Sequence, residues 1–481
     1  MGRITRRHFV HRTALAAGAL CGLPLANLAA AASVSPDEKL NPAAIRKFSS
    51  SISGPVITPE SPEYESARLV FNRAFDLHPG LIVRCANATD IGRALEFAQG
   101  NSLSLAVRGG GHSRAGFGTC EGGIVIDLSG LKGVEVDTVK RVATARAGAL
   151  AGEMDAATQQ HGLATVMGGC SSVGIAGLTL GGGEGLLMSK YGAACDNLIS
   201  AQVVTVDGKQ IEASASSNPD LFWAIRGGGG NFGVVTSLQY RLYPLTDVLS
   251  GTMTYAPGRI PELLRAFSKF VSAAPDEMNV VGEVLPSAQG ARFHMMICHC
   301  GDPSRGRKLL APLRNLKPQN EAVRVASYLE TQRTINPYSV AAHFQTNLFL
   351  PDLNDAAIAA IETATNDAPP TTRVFIVPLY GAISRVKSSE TAFPLREPGY
   401  ELDLMGRWTD PGEKASAVGW VKALRDKLQP LARGVYANQL GETSEDLVKT
   451  AYSLNYARLV EMKKKYDPNN VLRMNQNIKP N

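Results

Sequence analysis

The sequence predicts an α+β protein of two domains, a glycine-rich ligand-binding part and an antiparallel sheet backed by helices. Three observations carry this. A chain of 481 residues is too long for one hydrophobic core. Three glycine-dense stretches punctuate the first half, and two of them adjoin strand-like runs. From about Leu249 to Leu428 the texture changes, and strand-like runs alternate with amphipathic helical patterns.

At the N-terminus, Thr5-Arg6-Arg7-His8-Phe9-Val10 precedes a mildly apolar run from Ala14 to Ala32. Residues 1–32 read as a twin-arginine export signal, cleaved near Ala30 to Ala32. Gly18, Gly22, Pro24 and Asn27 interrupt the run and make a transmembrane anchor the weaker reading. The expectation is a periplasmic or secreted protein, carried already folded by the twin-arginine export machinery and keeping no stable membrane anchor. Residues 33–70 are polar and rich in Ser and Pro, a leader expected to drape over the fold.

Charge narrows the partners. Four of the net +6 are Arg3, Arg6, Arg7 and Arg12, so the remainder of the chain is near +2. No basic face points to nucleic acid, and Lys463-Lys464-Lys465 reads as a solvated helix end. If Cys21 leaves with the signal, Cys85, Cys120, Cys170, Cys195, Cys298 and Cys300 remain. Cys298-His299-Cys300 lacks the spacing of a zinc knuckle and reads as core packing; no metal site is expected.

Beyond Leu81-Ile82-Val83, Asp90 is expected to cap a helix from Ile91 to about Gln99, followed by strands Leu103 to Val107, Ile124 to Leu128 and Arg141 to Ala147. A helix from Leu150 to Gln160 comes next. Asp207-Gly208 joins Gln202 to Val206 and Gln210 to Ala213 in a hairpin, and Asn218-Pro219-Asp220 opens a helix. A strand runs from Val234 to Leu242. In the second domain the strands are Gly251 to Tyr255, Phe293 to Cys298, Val374 to Leu379 and Tyr400 to Trp408. Its helices are Glu262 to Ser272, Arg305 to Leu316, Asn354 to Ala364 and Lys414 to Leu428. A last helix covers Asn455 to Tyr466.

Two of the glycine stretches hold a nucleophile each. Arg108-Gly109-Gly110-Gly111-His112-Ser113 follows a strand, a way to offer N–H groups and a positive charge to phosphate; alone it is equally an ordinary tight turn. Met167 to Asn197 places Cys170 inside a glycine run where backbone can approach a ligand closely. Together, R-G-G-G-H-S and G-G-C-S-S-V-G-x-x-G-x-x-x-G-G-G-x-G resemble the berberine bridge enzyme-like branch of the vanillyl-alcohol oxidase superfamily. The resemblance runs from about Phe71 to the C-terminus and ends on Tyr466-Asp467-Pro468-Asn469-Asn470 and Asn475-Gln476-Asn477.

That resemblance implies a two-part FAD-binding domain of the vanillyl-alcohol oxidase/PCMH type over residues 71–248, a substrate domain over 249–430, and a C-terminal return over 431–481. It implies one FAD bonded covalently at both His112 and Cys170. Around it would stand Arg108, Gly109, Gly110, Gly111 and Ser113 of the first loop. The second would supply Gly169, Val173, Gly174, Gly177, Gly182, Gly183, Gly185, Tyr191 and Asn197. A third loop, Arg226 to Val235, would add Gly229, Asn231, Phe232, Gly233 and Val235, and the C-terminal part Asn438, Asn475 and Asn477. Two covalent links would hold the cofactor, raise its potential and leave the site open to bulky substrates.

Flavin oxidation needs a substrate C–H held over the ring and a base for the partner proton. Where the family carries Tyr-x-Asn-Tyr, this chain reads Tyr436-Ala437-Asn438-Gln439, and an amide cannot be a base. Tyr436 is a candidate base, or it packs and lines the pocket. On Tyr400 to Trp408, alternation puts Glu401, Asp403, Met405 and Arg407 on one face. Asp403 is the favoured base, with Glu401 or Arg407 orienting substrate; a solvent-facing ion pair is the bland alternative. Val173 occupies the position where, in relatives, valine accompanies reactivity with oxygen, though it serves core packing equally. The expectation is an oxidase that takes a hydride from an alcohol or hemiacetal carbon of a sugar, oligosaccharide or natural product and passes it to O2. A dehydrogenase, a C–N-oxidising enzyme and a decayed flavin binder are the alternatives.

Overall fold

The computed structural model describes residues 41–334, 340–366 and 368–481, so the segment expected to be an export signal lies outside the described residues. Leu81–Arg84, Ile124–Asp127 and Leu105–Arg108 are apolar at nearly every position because they pair in parallel with both sheet faces covered. Leu81, Val83, Ile124 and Ile126 enter one core, while Ile82, Val125 and Ala106 point to the other side.

The segment ahead of this sheet is more than a draped leader. Asn41 caps the helix Pro42–Ser51, Phe48 stacks on Phe97 at 4.2 Å, and Val56–Ile57 extends the sheet antiparallel to Leu81–Arg84. Asp90 does not cap its helix. Asn87 does, accepting from the Asp90 N–H, and the helix runs Ala88–Gly100. The buried Asp90 carboxylate instead accepts from the N–H groups of Ser53, Gly54 and Ala86, which pins the incoming segment.

A second, five-stranded antiparallel sheet has the order Val134–Asp137, Val142–Arg146, Val234–Arg241, Leu198–Val204, Gln210–Ser214. The Asp207-Gly208 turn forms as expected, with Gly208 at φ +80° and Val204 paired to Gln210. Ala143, Ala145, Leu198, Ala201 and Leu238 pack this sheet into the same core as the first. Leu459, Leu472 and Ile478 return from the C-terminal segment to that core.

The third sheet has seven strands, all antiparallel: Asn320–Ser327, Asp247–Thr254, Arg292–His299, Met278–Leu285, Thr372–Leu379, Gly399–Trp408, Ala342–Leu350. Helices back it. Ile260–Ser272 buries Ile260, Leu263, Leu264, Phe267 and Phe270 at helical spacing, and Asp355–Asn366 and Lys414–Leu428 join the same apolar cluster. The helix expected from Arg305 to Leu316 is two, Pro303–Leu309 and Ala311–Arg314, since Pro312 has no N–H to continue the ladder.

Cys298 and Cys300 pack with Tyr328 and Leu379 in an apolar cluster. The six cysteines among the described residues form no disulfide with one another. Among the described residues no three His, Cys, Asp or Glu side chains are placed to hold a metal ion, and no helix is long and apolar enough to cross a membrane.

Candidate functional site

The first glycine loop meets the second backbone to backbone. A Cβ on Gly110 would lie 2.3 Å from Gly174 N, and one on Gly174 would lie 2.2 Å from Gly110 N. Only glycine fits on either side, and the contact brings the His112 and Cys170 loops to one cavity of about 420 Å³.

Parallel pairing delivers Arg108 beside Asp127, and its Nη2 donates to Asp127 Oδ2 at 3.0 Å. Burial alone would raise Asp127, but the Arg108 charge and the Ser129 N–H outweigh it and hold the carboxyl below its usual range. Arg108 lines the cavity, and its Nη1 is buried without a partner. His112 stacks on Phe71, with centroids 4.0 Å apart. Burial, with help from Arg114, lowers its pKa to about 4, so the imidazole is neutral and nucleophilic at ordinary pH. Cys170 Sγ is 3.2 Å from Ser172 Oγ, and among the described cysteines it alone is not fully buried.

Of the residues expected at the cofactor, the wall of this cavity contains Arg108, Gly109, Gly110, Gly111, His112 and Ser113 from the first loop. Gly169, Cys170, Val173, Gly174 and Gly177 come from the second, Gly229, Gly233 and Val235 from the third, and Asn438 and Asn475 from the C-terminal part. The others stand off the wall and support it. Gly182 faces the Phe393 ring, and a Cβ on Gly185 would strike Met167 O at 1.8 Å. Gly183 spends its N–H on Tyr436. Tyr191 stacks on Tyr243, whose hydroxyl donates to Asn197. Asn231 ties Gly228 O to Gln476 O, Phe232 is wholly buried, and Asn477 lies outside the wall.

The facing wall is the strand Gly399–Trp408. Asp403 and Met405 line the cavity, so the predicted alternation is correct, but Glu401 and Arg407 do not line it. Glu401 is wholly buried, and neither residue is on the wall that would meet a substrate. Burial pushes Asp403 up to about 6, tempered by contacts with Glu401, Arg114 and Gln345, and its Oδ1 has no donor.

Tyr436 lines the cavity, but its hydroxyl oxygen accepts from Gly183 N and from Asn438 Nδ2, both at 2.9 Å. Burial, reinforced by Glu184, raises this phenol well above its usual range. It holds the loop and is poorly suited to act as a base. Gln439 Oε1 accepts from Arg114 Nε at 3.2 Å and Gln345 Nε2 at 2.9 Å, so the amide in the tyrosine position is a polar hub.

Sequence reasoning missed Glu184, Arg114 and Gln345, all on this wall. Glu184 had a visible signal, an acid within Gly181-Gly182-Gly183-Glu184-Gly185. It also misread Lys463, which is no solvated helix end. Its Nζ is wholly buried and donates to Asp467 Oδ2 (2.7 Å), Leu472 O (2.8 Å) and Asn231 O (3.0 Å), clamping the third glycine loop to the C-terminal segment.

The residues present fit a dinucleotide flavin. The glycine contact makes a backbone cradle, Gly177 and Gly230 leave open space where a Cβ would stand, and Arg108 Nη1 keeps an uncommitted N–H donor for a phosphate. Comparison with known proteins agrees. A family profile described as "FAD binding domain" matches residues 79–214, and one described as "Berberine and berberine like" matches 435–479. The chain is 32% identical to the FAD-linked oxidoreductase YgaK of Bacillus subtilis over 89% of its own length and 97% of that protein. It is 30% identical to (R)-6-hydroxynicotine oxidase of Paenarthrobacter nicotinovorans, over 89% of this chain and 97% of the relative. The crystal structure of 6-hydroxy-D-nicotine oxidase from Arthrobacter nicotinovorans superposes with a TM-score of 0.84 at 28% identity, covering 90% of this chain and 99% of that one. A cradle for flavin, matches along nearly the whole length of such relatives and a shared fold place this chain in the berberine bridge enzyme-like family of FAD-linked oxidoreductases.

Proposed function

We propose that this chain is an exported oxidase carrying FAD on both His112 and Cys170, which oxidises a hydroxyl-bearing carbon of a sugar, oligosaccharide or related natural product and reduces O2 to H2O2. The observation that carries the reading is Asp403: an ionisable carboxylate on the cavity wall, buried, with one oxygen unpaired and a pKa near 6. It is ionised at neutral pH and basic enough to accept a hydroxyl proton. Bound FAD supplies the hydride acceptor. The chain's own part is to place the hydroxyl on the Asp403 carboxylate, with Met405, Phe375 and Val377 as the apolar surface beside it. Its neutral imidazole and its accessible thiol, both on the cavity wall, support the two attachments.

Asp403→Asn keeps the shape and removes the base. Flavin reduction in anaerobic stopped flow is expected to slow by about a hundred- to ten-thousandfold with the flavin spectrum unchanged. A rate close to wild type overturns the assignment of the base. Retention of yellow colour by acid-precipitated protein tests the covalent links, and peroxide release in air tests the acceptor, for which Val173 on the wall is the favourable residue. The twin-arginine sequence at residues 1–32 supports export, checked by the N-terminus of the mature protein.

A second reading, oxidation of a C–N bond, is favoured by the 30% identical relative named (R)-6-hydroxynicotine oxidase. An anaerobic screen of sugars, phenolic alcohols and amines for flavin bleaching separates the two.

A further inference from the structure

Behind Asp403 the fold buries carboxyls that base catalysis alone does not require. Glu401 lies two residues away on the same strand face, wholly buried, and neither of its oxygens finds an N–H or O–H donor among the described residues. The groups it meets are the carboxyls of Glu184 and Asp403. Glu184 comes from the second glycine stretch, lines the cavity, and has a buried Oε1 without a donor. An ionised carboxylate buried without a donor costs several kcal/mol even after relaxation, so hydrogens carried by the acids themselves must join the three.

Environment ranks them. Burial, then the neighbouring Glu184 and Asp403, push Glu401 well above the carboxyl range, while burial raises Glu184 to about 7 and Asp403 to about 6. The other polar groups facing the cluster are Arg114 and Gln345 beside Asp403 and the Tyr436 hydroxyl beside Glu184. At neutral pH Glu401 therefore keeps its proton between two neighbours able to give one and take one.

We propose that Glu401 and Glu184 form with Asp403 a proton relay that carries the substrate's hydroxyl proton away from Asp403 to Glu184, elsewhere on the cavity wall; this rests on Asp403 as the base. The substrate O–H breaks as Asp403 gains the proton. That proton passes to Glu401 while Glu401's own passes to Glu184. Asp403 is ionised again, Glu401 is again neutral, and Glu184, the least buried of the three and itself on the cavity wall, yields the proton to water entering the cavity. No electrons move along this path. Glu401 and Glu184 are positioning residues acting through Asp403.

Two measurements on the holoenzyme test it. Infrared spectra at about pH 8 should show a protonated-carboxyl C=O band that survives Glu184→Gln and disappears in Glu401→Gln. Absence of the band in the wild type overturns the relay without need of any variant. In the second, a pH-indicator dye follows proton release during anaerobic reduction by the best donor of the screen. Wild type should release the proton together with flavin bleaching. In Glu184→Gln, whatever its bleaching rate, release should trail bleaching by about tenfold or more, and Glu184→Asp should restore part of the synchrony. Synchronous release in Glu184→Gln overturns the relay. Undiminished bleaching in Asp403→Asn would defeat the base itself, whereas slow bleaching there with synchronous release in Glu184→Gln defeats the relay alone.

Discussion

Gly174→Ala asks whether the contact between two glycine loops is what brings His112 and Cys170 to one cavity. The added Cβ would lie 2.2 Å from Gly110 N and 2.8 Å from Gly110 Cα. Both obstacles are backbone, so neither can swing aside as a side chain does. Restoring an ordinary contact of 3.4 Å requires the loops to part by about 1.2 Å. Overpacking of this kind costs about 1–3 kcal/mol of stability. A reacting pair misplaced by ~1 Å also loses roughly a hundredfold in rate, so covalent attachment should fail at one link or become very slow. Gly177→Ala is the matched contrast. Its Cβ meets no protein atom within 4 Å, yet Gly177 lines the cavity, so the methyl takes ligand space and not packing space. Denaturant titration of both variants, with flavin counted in the acid-precipitated protein and by intact mass, separates the effects. Gly174→Ala should lose stability and a link, and Gly177→Ala should keep stability and lose flavin. Wild-type stability and both links in Gly174→Ala would refute the account of the cradle.

Three further outcomes are expected. Lys463→Met leaves Asp467 buried without its charge partner and frees two carbonyls, and should cost about 3–5 kcal/mol in denaturant unfolding; a loss under about 1 kcal/mol would mean the clamp is redundant. Tyr436→Phe strands the Gly183 N–H and the Asn438 amide and should cost about 1–3 kcal/mol while flavin reduction slows by no more than about tenfold; a hundredfold drop would make the phenol the base. Asp155, whose Oδ2 accepts from Gln332 Nε2, is raised by burial from 3.8 to about 7. Its folded pKa exceeds its unfolded one, so its stabilisation is present below about pH 4 and is lost as pH rises through 7. Asp155→Asn should therefore gain on wild type by about 1.4 kcal/mol per pH unit across that window and level off above it, and a pH-independent difference between the two melting curves would contradict the burial argument.

The cofactor side of the site was legible because its requirement is local. Gly110 and Gly174 are dictated by a backbone approach that leaves no room for Cβ, and such a need shows in the sequence as the residue itself. Asp403 was legible for a similar reason, since strand alternation places it on a face with no knowledge of what lies opposite. Gln345 was not. Its strand, Ala342–Leu350, is buried almost throughout because Gly434 and Gly441 pair along an edge that would otherwise be open, so no period of two marks it. Lys463 resembled Lys464 and Lys465 until the fold closed Asp467 and two carbonyls around it, although the Lys463…Asp467 spacing of one helical turn was there to see.

This division has a chemical consequence for the wall that meets substrate. The cradle is held by backbone and resists change, whereas the opposite wall is a set of side chains that bond to one another. Arg114 Nε and Gln345 Nε2 both donate to Gln439 Oε1, and Asn438 donates to Tyr436. Two acceptors on residues of this wall, Asp403 Oδ1 and Gln345 Oε1, are buried without a donor. Buried acceptors left unpaired cost about 1–3 kcal/mol apiece, so the molecule that satisfies them must bring several O–H or N–H groups on one side. A ligand of matching size with only ether or carbonyl oxygens there would leave both unpaired.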